Sequence, residues 1–154
     1  LSMKGNTLLL FQYVEKHGKV LNKLISDSVE KGRNVYFVHG QVESEDRENI
    51  RKLVEIENDS IIIASFGTFS TGINIKNLHN IIFASPTKSK IRNLQSIGRG
   101  LRLGSDKEEC VLYDISDNMQ WGQHKNHTLK HFVERIKIYN EEKFDTKIYT
   151  VKLQ

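Results

Sequence analysis

The sequence predicts an α/β protein built on a parallel sheet, and three observations support that prediction. Short runs of Leu, Ile, Val, Phe and Tyr recur with little polar alternation, as is typical of strands buried on both faces. Amphipathic helical patterns separate these runs. Successive runs begin 20 to 30 positions apart, close to the length of a β-α-β unit.

The strands are predicted from the apolar runs themselves. They are Thr7–Phe11, Asn34–Val38, Ser60–Ala64, Asn80–Ala84 and Cys110–Asp114. Cys110, the only cysteine, is expected to be an inert small apolar residue in the last strand. Because a single cysteine forms no intramolecular disulfide and no cysteine-based zinc site, a reducing, intracellular compartment is indicated.

Two crossover helices are predicted between the first three strands. The first carries apolar residues at helical spacing, namely Val20, Leu21, Leu24, Ile25 and Val29. We expect Gly32 to supply the left-handed residue that ends it. Ser44 is expected to cap the second helix, whose apolar side is formed by Ile50, Leu53 and Val54.

The pattern of the chain changes after the last core strand. A helix is predicted from Thr128 to Lys143 and a final strand from Lys147 to Leu153. We therefore predict a core domain of residues 1–120 and a C-terminal helical extension, residues 121–154, packed on the same domain. A possible metal-ligand face in this region is formed by His124, His127, His131 and Glu134, but no second cluster supports it and no metal site is predicted.

Composition excludes several classes of protein. The 154 residues carry a formal charge of +4, a pI near 9.1 and a mean hydropathy of −0.48, values of an ordinary globular protein. Apolar runs are far shorter than the ~20 residues needed to cross a bilayer, and the first residues do not predict a signal peptide. We expect a cytoplasmic protein without a membrane partner. The small positive charge is compatible with a polyanionic partner.

A phosphate-binding loop is missing from the sequence. No Gly-x-x-x-x-Gly-Lys-Ser/Thr and no Gly-x-Gly-x-x-Gly occurs, and the pair Gly18-Lys19 is followed by Val20 inside a crossover. The chain therefore lacks the parts that grip a nucleoside triphosphate and its metal.

The stretch Leu94–Arg102 is the most informative. On a helix, Gln95, Arg99 and Arg102 share one face, and Gly98 removes a side chain beside Arg99. Two guanidiniums are thereby presented together. Solvated surface charges are the alternative interpretation.

Two further stretches point to an anionic ligand. Hydroxyls and glycines fill Ala64–Asn74 directly after an apolar strand, where open α/β sheets bind ligands, although a plain capped loop has the same composition. From Ser85 to Gly104 there is no acidic residue and there are five basic ones, Lys88, Lys90, Arg92, Arg99 and Arg102. The first three are expected to face DNA phosphate, and a solvated helix start is the alternative.

These stretches resemble conserved motifs of superfamily 2 helicases. Gln95–Arg102 resembles motif VI, Ala64–Asn74 resembles motif V and Leu8–Phe11 resembles motif IV, in the right order. Along its length the chain is most similar to a recombination helicase of T-even phages. The resemblance implies a RecA-like fold, related to P-loop NTPases, that forms the second of two motor domains.

Roles for individual residues follow from the resemblance. Arg99 and Arg102 would reach the γ-phosphate of ATP, which the N-terminal RecA-like domain of the same protein holds with Mg²⁺. The residues expected beside the nucleotide are Gly72, Asn74, Gln95 and Gly98, although many family members carry Asp in place of Asn74. Ser65 would contact nucleic-acid phosphate. The implied substrate is branched or forked DNA, or an RNA–DNA hybrid.

Two other functions remain open from sequence. One is a non-catalytic nucleic-acid-binding or regulatory module of the same fold. The other is a double-strand DNA translocase of the restriction or remodelling type, which shares the motifs and does not separate strands.

Overall fold

Five strands form one parallel sheet in the order β2-β3-β1-β4-β5. The structure is a computed structural model that describes residues 2–70, 75–85, 109–119 and 126–152. The strands are β1 Thr7–Phe11, β2 Val35–Val38, β3 Ile61–Ser65, β4 Asn80–Phe83 and β5 Val111–Asp114. The predicted parallel α/β sheet is confirmed, and each strand lies within one residue of its predicted bounds.

Helices cover both faces of the sheet and give it a core on each side. They are α1 Lys19–Ser28, α2 Ser44–Ile56, α3 Phe66–Ser70 and α4 His127–Glu141, and a π-helical turn, Val14–Gly18, precedes α1. One core contains Val54 of α2 and Tyr139 of α4, packed with Leu8 and Leu10 of β1. On the other face, the core around Leu9 and Phe11 of β1 is packed against Leu21 and Ile25 of α1. None of the helices in the described ranges is long and apolar enough to cross a membrane.

The predicted ends of the first two helices need correction. Glu43, not Ser44, is the N-cap of α2, and it makes no side-chain cap bond. Ser44 Oγ instead accepts a hydrogen bond from Arg47 Nη2 at 2.9 Å, one turn into the helix. Gly32 has the expected positive φ of 97°, yet α1 has already ended at Ser28, so this glycine serves the turn into β2.

The predicted final strand is wrong over residues 147–152, which form no strand. Ile148, Tyr149 and Val151 are 64%, 80% and 79% exposed. An apolar, β-prone run becomes a strand only when its backbone pairs with a neighbouring strand. In the described part of the chain, β4 is the only pairing partner of the edge strand β5.

Buried hydrogen bonds close the amino end of the sheet around Asn6, a residue with no exposed surface directly before β1. Its Nδ2 lies 2.9, 2.6 and 2.9 Å from the carbonyl oxygens of Val54, Glu57 and Asn77. Its Oδ1 accepts from the backbone N–H and the hydroxyl of Ser60, both at 2.9 Å. One amide thus joins the end of α2, the start of β3 and the segment before β4.

Candidate functional site

The strand order places a topological switch point between the carboxyl ends of β1 and β4, and we refer to this place as the crevice. After β1 the chain continues to β2 at one edge of the sheet, whereas after β4 it continues to β5 at the opposite edge. Ligands of open α/β sheets bind at such a divergence, outside the carboxyl ends of the strands. Here a hydrogen bond of 3.0 Å from the Gln12 backbone N–H to Ser85 Oγ joins the two strand ends.

A π-helical turn fixes the backbone on the β1 side of this crevice. The carbonyl oxygen of Tyr13 accepts from the N–H groups of His17 at 2.9 Å and Gly18 at 3.0 Å. Gly18 is buried, and a Cβ there would lie 2.5 Å from Cζ of Phe11. The glycine is therefore required for the turn to pack on β1. Single π turns occur frequently at functional sites.

Three side chains contact one another at the mouth of the crevice, namely Ser85, His17 and Tyr13. His17 Nδ1 lies 3.1 Å from Ser85 Oγ. The rings of Tyr13 and His17 meet edge to face, with centroids 5.4 Å apart and planes at 64°. Tyr13 is 55% exposed. Sequence reasoning missed all three residues, and their only sequence signal is their position just after two apolar strands.

Ser65, the one predicted site residue within the described ranges, ends β3 next to this crevice. It is 8% exposed, and its hydroxyl lies 2.7 Å from Thr68 Oγ1 and accepts from the Thr68 backbone N–H at 3.3 Å. These bonds hold the first turn of α3. The predicted contact of Ser65 with phosphate stays a prediction.

The other predicted site residues lie outside the described residues. They are Gly72, Asn74, Lys88, Lys90, Arg92, Gln95, Gly98, Arg99 and Arg102, and His124 of the histidine face is outside as well. The structure describes the residues that directly precede these two segments. Residues 71–74 follow α3, which begins directly after β3, and residues 86–108 follow Ser85 at the end of β4. The start of α3 and Ser85 both lie at the carboxyl edge of the sheet.

The carboxyl end of β5 is held by α4 through a buried ion pair. Arg135, 1% exposed, donates from Nε to Asp114 Oδ2 at 2.6 Å and from Nη2 to Oδ1 at 2.8 Å. The Tyr139 hydroxyl donates to the same Asp114 Oδ2 at 2.6 Å. Burial, followed by the charge and hydrogen bond of Asp114, raises the pKa of Tyr139 far above its ordinary value.

The histidines of α4 form no metal centre within the described residues. The rings of His127 and His131 are 6.5 Å apart between centroids. In that part of the chain no group of three His, Cys, Asp or Glu side chains is arranged to hold a metal ion.

Comparison with known proteins gives one family and several relatives. The model of the helicase conserved C-terminal domain matches residues 1–104. The ATP-dependent DNA helicase uvsW of Enterobacteria phage T4 is 39% identical over 158 aligned positions, which cover 96% of this chain and 31% of that protein. The putative ATP-dependent helicase IRC3 of Saccharomyces cerevisiae is 32% identical over 107 positions, or 70% of this chain and 15% of that protein. The chain thus spans a third or less of these curated relatives.

Solved structures give the same result for the fold. The crystal structure of T4 UvsW superposes with a TM-score of 0.74 at 38% identity, covering 95% of this chain and 31% of that one. Domain 2 of the Mss116p DEAD-box helicase, bound to an RNA duplex, has a TM-score of 0.58 at 18% identity over 71% of this chain and 41% of that chain. The fold is therefore that of a RecA-like helicase C-terminal domain.

Proposed function

The chain belongs to the helicase conserved C-terminal domain family, and from this premise we propose that it is the second motor domain of an ATP-dependent DNA helicase. The observation that carries the proposal is the similarity to a phage DNA helicase over 96% of the chain, at 39% identity. The intact enzyme would move along DNA and unwind or remodel branched molecules in recombination, repair or replication restart. It would work in the cytoplasm of a prokaryotic or phage-infected cell.

In this proposal ATP is the substrate, and the chain contributes the groups that act on its γ-phosphate from across an interdomain cleft. Arg99 and Arg102 are the proposed fingers, because guanidinium offers donors in a rigid fork and keeps its proton. Charge spreads over the transferred phosphoryl oxygens in the transition state, and such a finger contributes about 10³ to 10⁵ in rate. The residues proposed to line the nucleotide are Gly72, Asn74, Gln95 and Gly98.

The first motor domain of the same protein would supply what this sequence lacks. The chain contains no Gly-x-x-x-x-Gly-Lys-Ser/Thr to hold the triphosphate with its Mg²⁺. Binding of ATP between the two domains would close them, and hydrolysis would let them part. Nucleic-acid contacts on both domains would then advance in steps.

Contacts to nucleic acid are proposed at the carboxyl edge of the sheet. Ser65 would donate its hydroxyl to a phosphate oxygen, and basic residues of the following segment would add charge, namely Lys88, Lys90 and Arg92. Phosphate contacts of this kind bind without sequence preference and weaken as salt is raised. Forked or branched DNA is the proposed substrate, and an RNA–DNA hybrid would fit the same contacts.

Residues 121–154 are proposed to belong to the same domain as residues 1–120. Support comes from the Arg135–Asp114 ion pair, and from Tyr139, which is 4% exposed and sits in the core formed by β1 and α2. A separate domain would not place its charged and aromatic side chains inside its neighbour's core.

The experiment that tests the proposed function measures Mg²⁺-dependent ATP hydrolysis. The purified chain alone should give no turnover above background, whereas the chain fused to its first motor domain should hydrolyse ATP and be stimulated by forked DNA. Turnover by a clean preparation of the chain alone would contradict the assignment. Strand displacement on a labelled fork separates a helicase from a double-strand translocase, which would hydrolyse ATP without displacing a strand.

A non-catalytic nucleic-acid-binding module of the same fold is the second candidate, because a domain without a phosphate-binding loop fits either a binding module or the second domain of a motor. The two candidates differ in what precedes the chain in its parent protein. A Gly-x-x-x-x-Gly-Lys-Thr segment followed by an Asp-Glu pair would establish a motor, and a parent without them would establish the binding module.

A further inference from the structure

We propose that Tyr13 and His17 form a contact site for single-stranded nucleic acid at the mouth of the crevice between β1 and β4. In this site the His17 ring donates a hydrogen bond to a phosphate oxygen, and the Tyr13 ring stacks on the adjacent nucleobase. The inference rests on the proposed nucleic-acid function and goes beyond it, because it assigns a base contact and a preference for single strands.

The proposed donor is Nε2–H of His17. Ser85 Oγ accepts from the Gln12 backbone N–H at 3.0 Å and lies 3.1 Å from His17 Nδ1, so the serine hydroxyl can donate to that nitrogen. An imidazole that accepts at Nδ1 carries its proton on Nε2 in the neutral form, and the proposed site uses this tautomer. The Nε2–H group then points away from Ser85 and is a donor for an oxygen ligand.

Hydrogen bonds fix the backbone of Tyr13, and one ring contact restrains its side chain before a ligand arrives. Its carbonyl oxygen accepts two hydrogen bonds of the π turn, and its ring packs at 64° against the His17 ring. More than half of its surface is nevertheless open, at 55% exposure. A large aromatic ring that is fixed and exposed loses little conformational entropy when a flat ligand stacks on it.

Position and charge favour nucleic acid as the occupant. The pair lies where open α/β sheets bind ligands, beside the end of the strand that leads into the basic segment of residues 86–104. Exposed Lys16 adds a positive charge within the π turn. The negative charge of Glu15 in the same turn is paired with Lys19 at 2.8 Å. Imidazole N–H and aromatic ring together match the phosphate and the base of one nucleotide.

Stacking predicts single-strand preference. In a duplex the faces of the bases are already stacked on their neighbours, so only an unpaired base offers a face to Tyr13. Loss of the ring should therefore weaken single-strand binding and leave duplex binding largely intact.

Fluorescence anisotropy with labelled oligothymidylate and with a labelled duplex tests the site, using the full chain. Tyr13→Ala should weaken oligothymidylate binding about 10-fold, the size of one lost base–aromatic stack, and change duplex binding little. Tyr13→Phe keeps the ring and should bind like wild type. His17→Ala should weaken both probes, because both contain phosphate.

Tyr149→Ala is the matched control, since Tyr149 is an exposed tyrosine of the C-terminal tail far from the crevice in sequence. It should leave both affinities unchanged. Oligothymidylate affinity that is the same for Tyr13→Ala and wild type would overturn the site while leaving the proposed function standing. Failure of the wild-type chain to bind either probe would overturn the proposed nucleic-acid contacts and the site with them.

Discussion

The two ends of the parallel sheet use polar residues in opposite ways. At the amino end, Asn6 has no exposed surface, and its side-chain amide is hydrogen-bonded to carbonyl, N–H and hydroxyl groups of three other segments. At the carboxyl ends of β1 and β4, His17 and Ser85 are half-buried and Tyr13 is 55% exposed. The hydrogen bonds of Asn6 thus stabilise the fold, whereas the exposed surface of Tyr13 is accessible to a ligand.

The carboxyl end of β5 resembles the amino end of the sheet in this respect. Asp114 lies at the edge where ligands bind, yet Arg135 and Tyr139 of α4 satisfy its carboxylate. Position at the carboxyl edge is thus not sufficient for a site. When a helix covers the end of a strand, the polar residues of that strand end bond to the helix and are not available to a ligand.

The largest effect on stability is expected from breaking this ion pair. Arg135→Met leaves the Asp114 carboxylate buried without its cation, and should lower the free energy of unfolding by about 4 kcal/mol, the middle of the range for broken buried pairs. Urea denaturation followed by circular dichroism measures it. The double variant Arg135→Met/Asp114→Leu should recover part of the loss, because no uncompensated charge remains. A single variant as stable as wild type would show that α4 does not hold β5.

A smaller loss is expected at the amino end of the sheet. Asn6→Leu leaves the Val54 and Asn77 carbonyls and the Ser60 N–H without the partner that Asn6 supplied, and should cost about 3 kcal/mol in the free energy of unfolding. Oligothymidylate affinity, measured under conditions where the variant is folded, should stay at the wild-type value. An Asn6→Leu variant that kept its stability and lost oligothymidylate affinity would show that Asn6 serves binding and not the fold.

The smallest effect concerns Tyr139. Tyr139→Phe removes one hydrogen bond to Asp114 and should cost about 1 kcal/mol at neutral pH. Because the pKa of Tyr139 is raised in the folded state, its contribution is complete below the unfolded value of about 10 and is lost as pH rises beyond it.

The alkaline limb of the stability curve measures this contribution. Wild type should lose stability more steeply above about pH 10 than Tyr139→Phe. Burial and Glu57 also raise the pKa of Tyr36, to about 12, but that tyrosine is present in both proteins and cancels in the comparison. Parallel curves for the two proteins would contradict the buried neutral phenol.

The sequence predicts the central strands β1 and β3 well because strands buried on both faces consist mainly of apolar residues. β1 agrees residue for residue, since Thr7–Phe11 is bounded by Asn6 and Gln12 and lies in the centre of the sheet. The final strand was wrong because Lys147–Leu153 has the composition of a strand, but composition does not provide a pairing partner.

The site could be predicted only in part. Motif-bearing residues such as Arg102 stand out because their types and spacing are local properties of the sequence. Tyr13, His17 and Ser85 do not, since His17 and Ser85 are 68 positions apart and meet only through the order of β1 and β4 in the sheet. Asn6 is hidden for the same reason, because its partners lie 48 to 71 positions away.

Replacement of Arg102 is the sharpest test of the proposal that this domain completes an ATPase site with its arginine side chains. In the protein that contains both motor domains, Arg102→Ala should lower kcat for ATP hydrolysis by about 10³ to 10⁵ and leave DNA affinity and the unfolding midpoint close to wild type. Lys137→Ala, a surface lysine of α4, is the control and should change none of these. Wild-type turnover by Arg102→Ala would contradict the proposed role of Arg102 in hydrolysis.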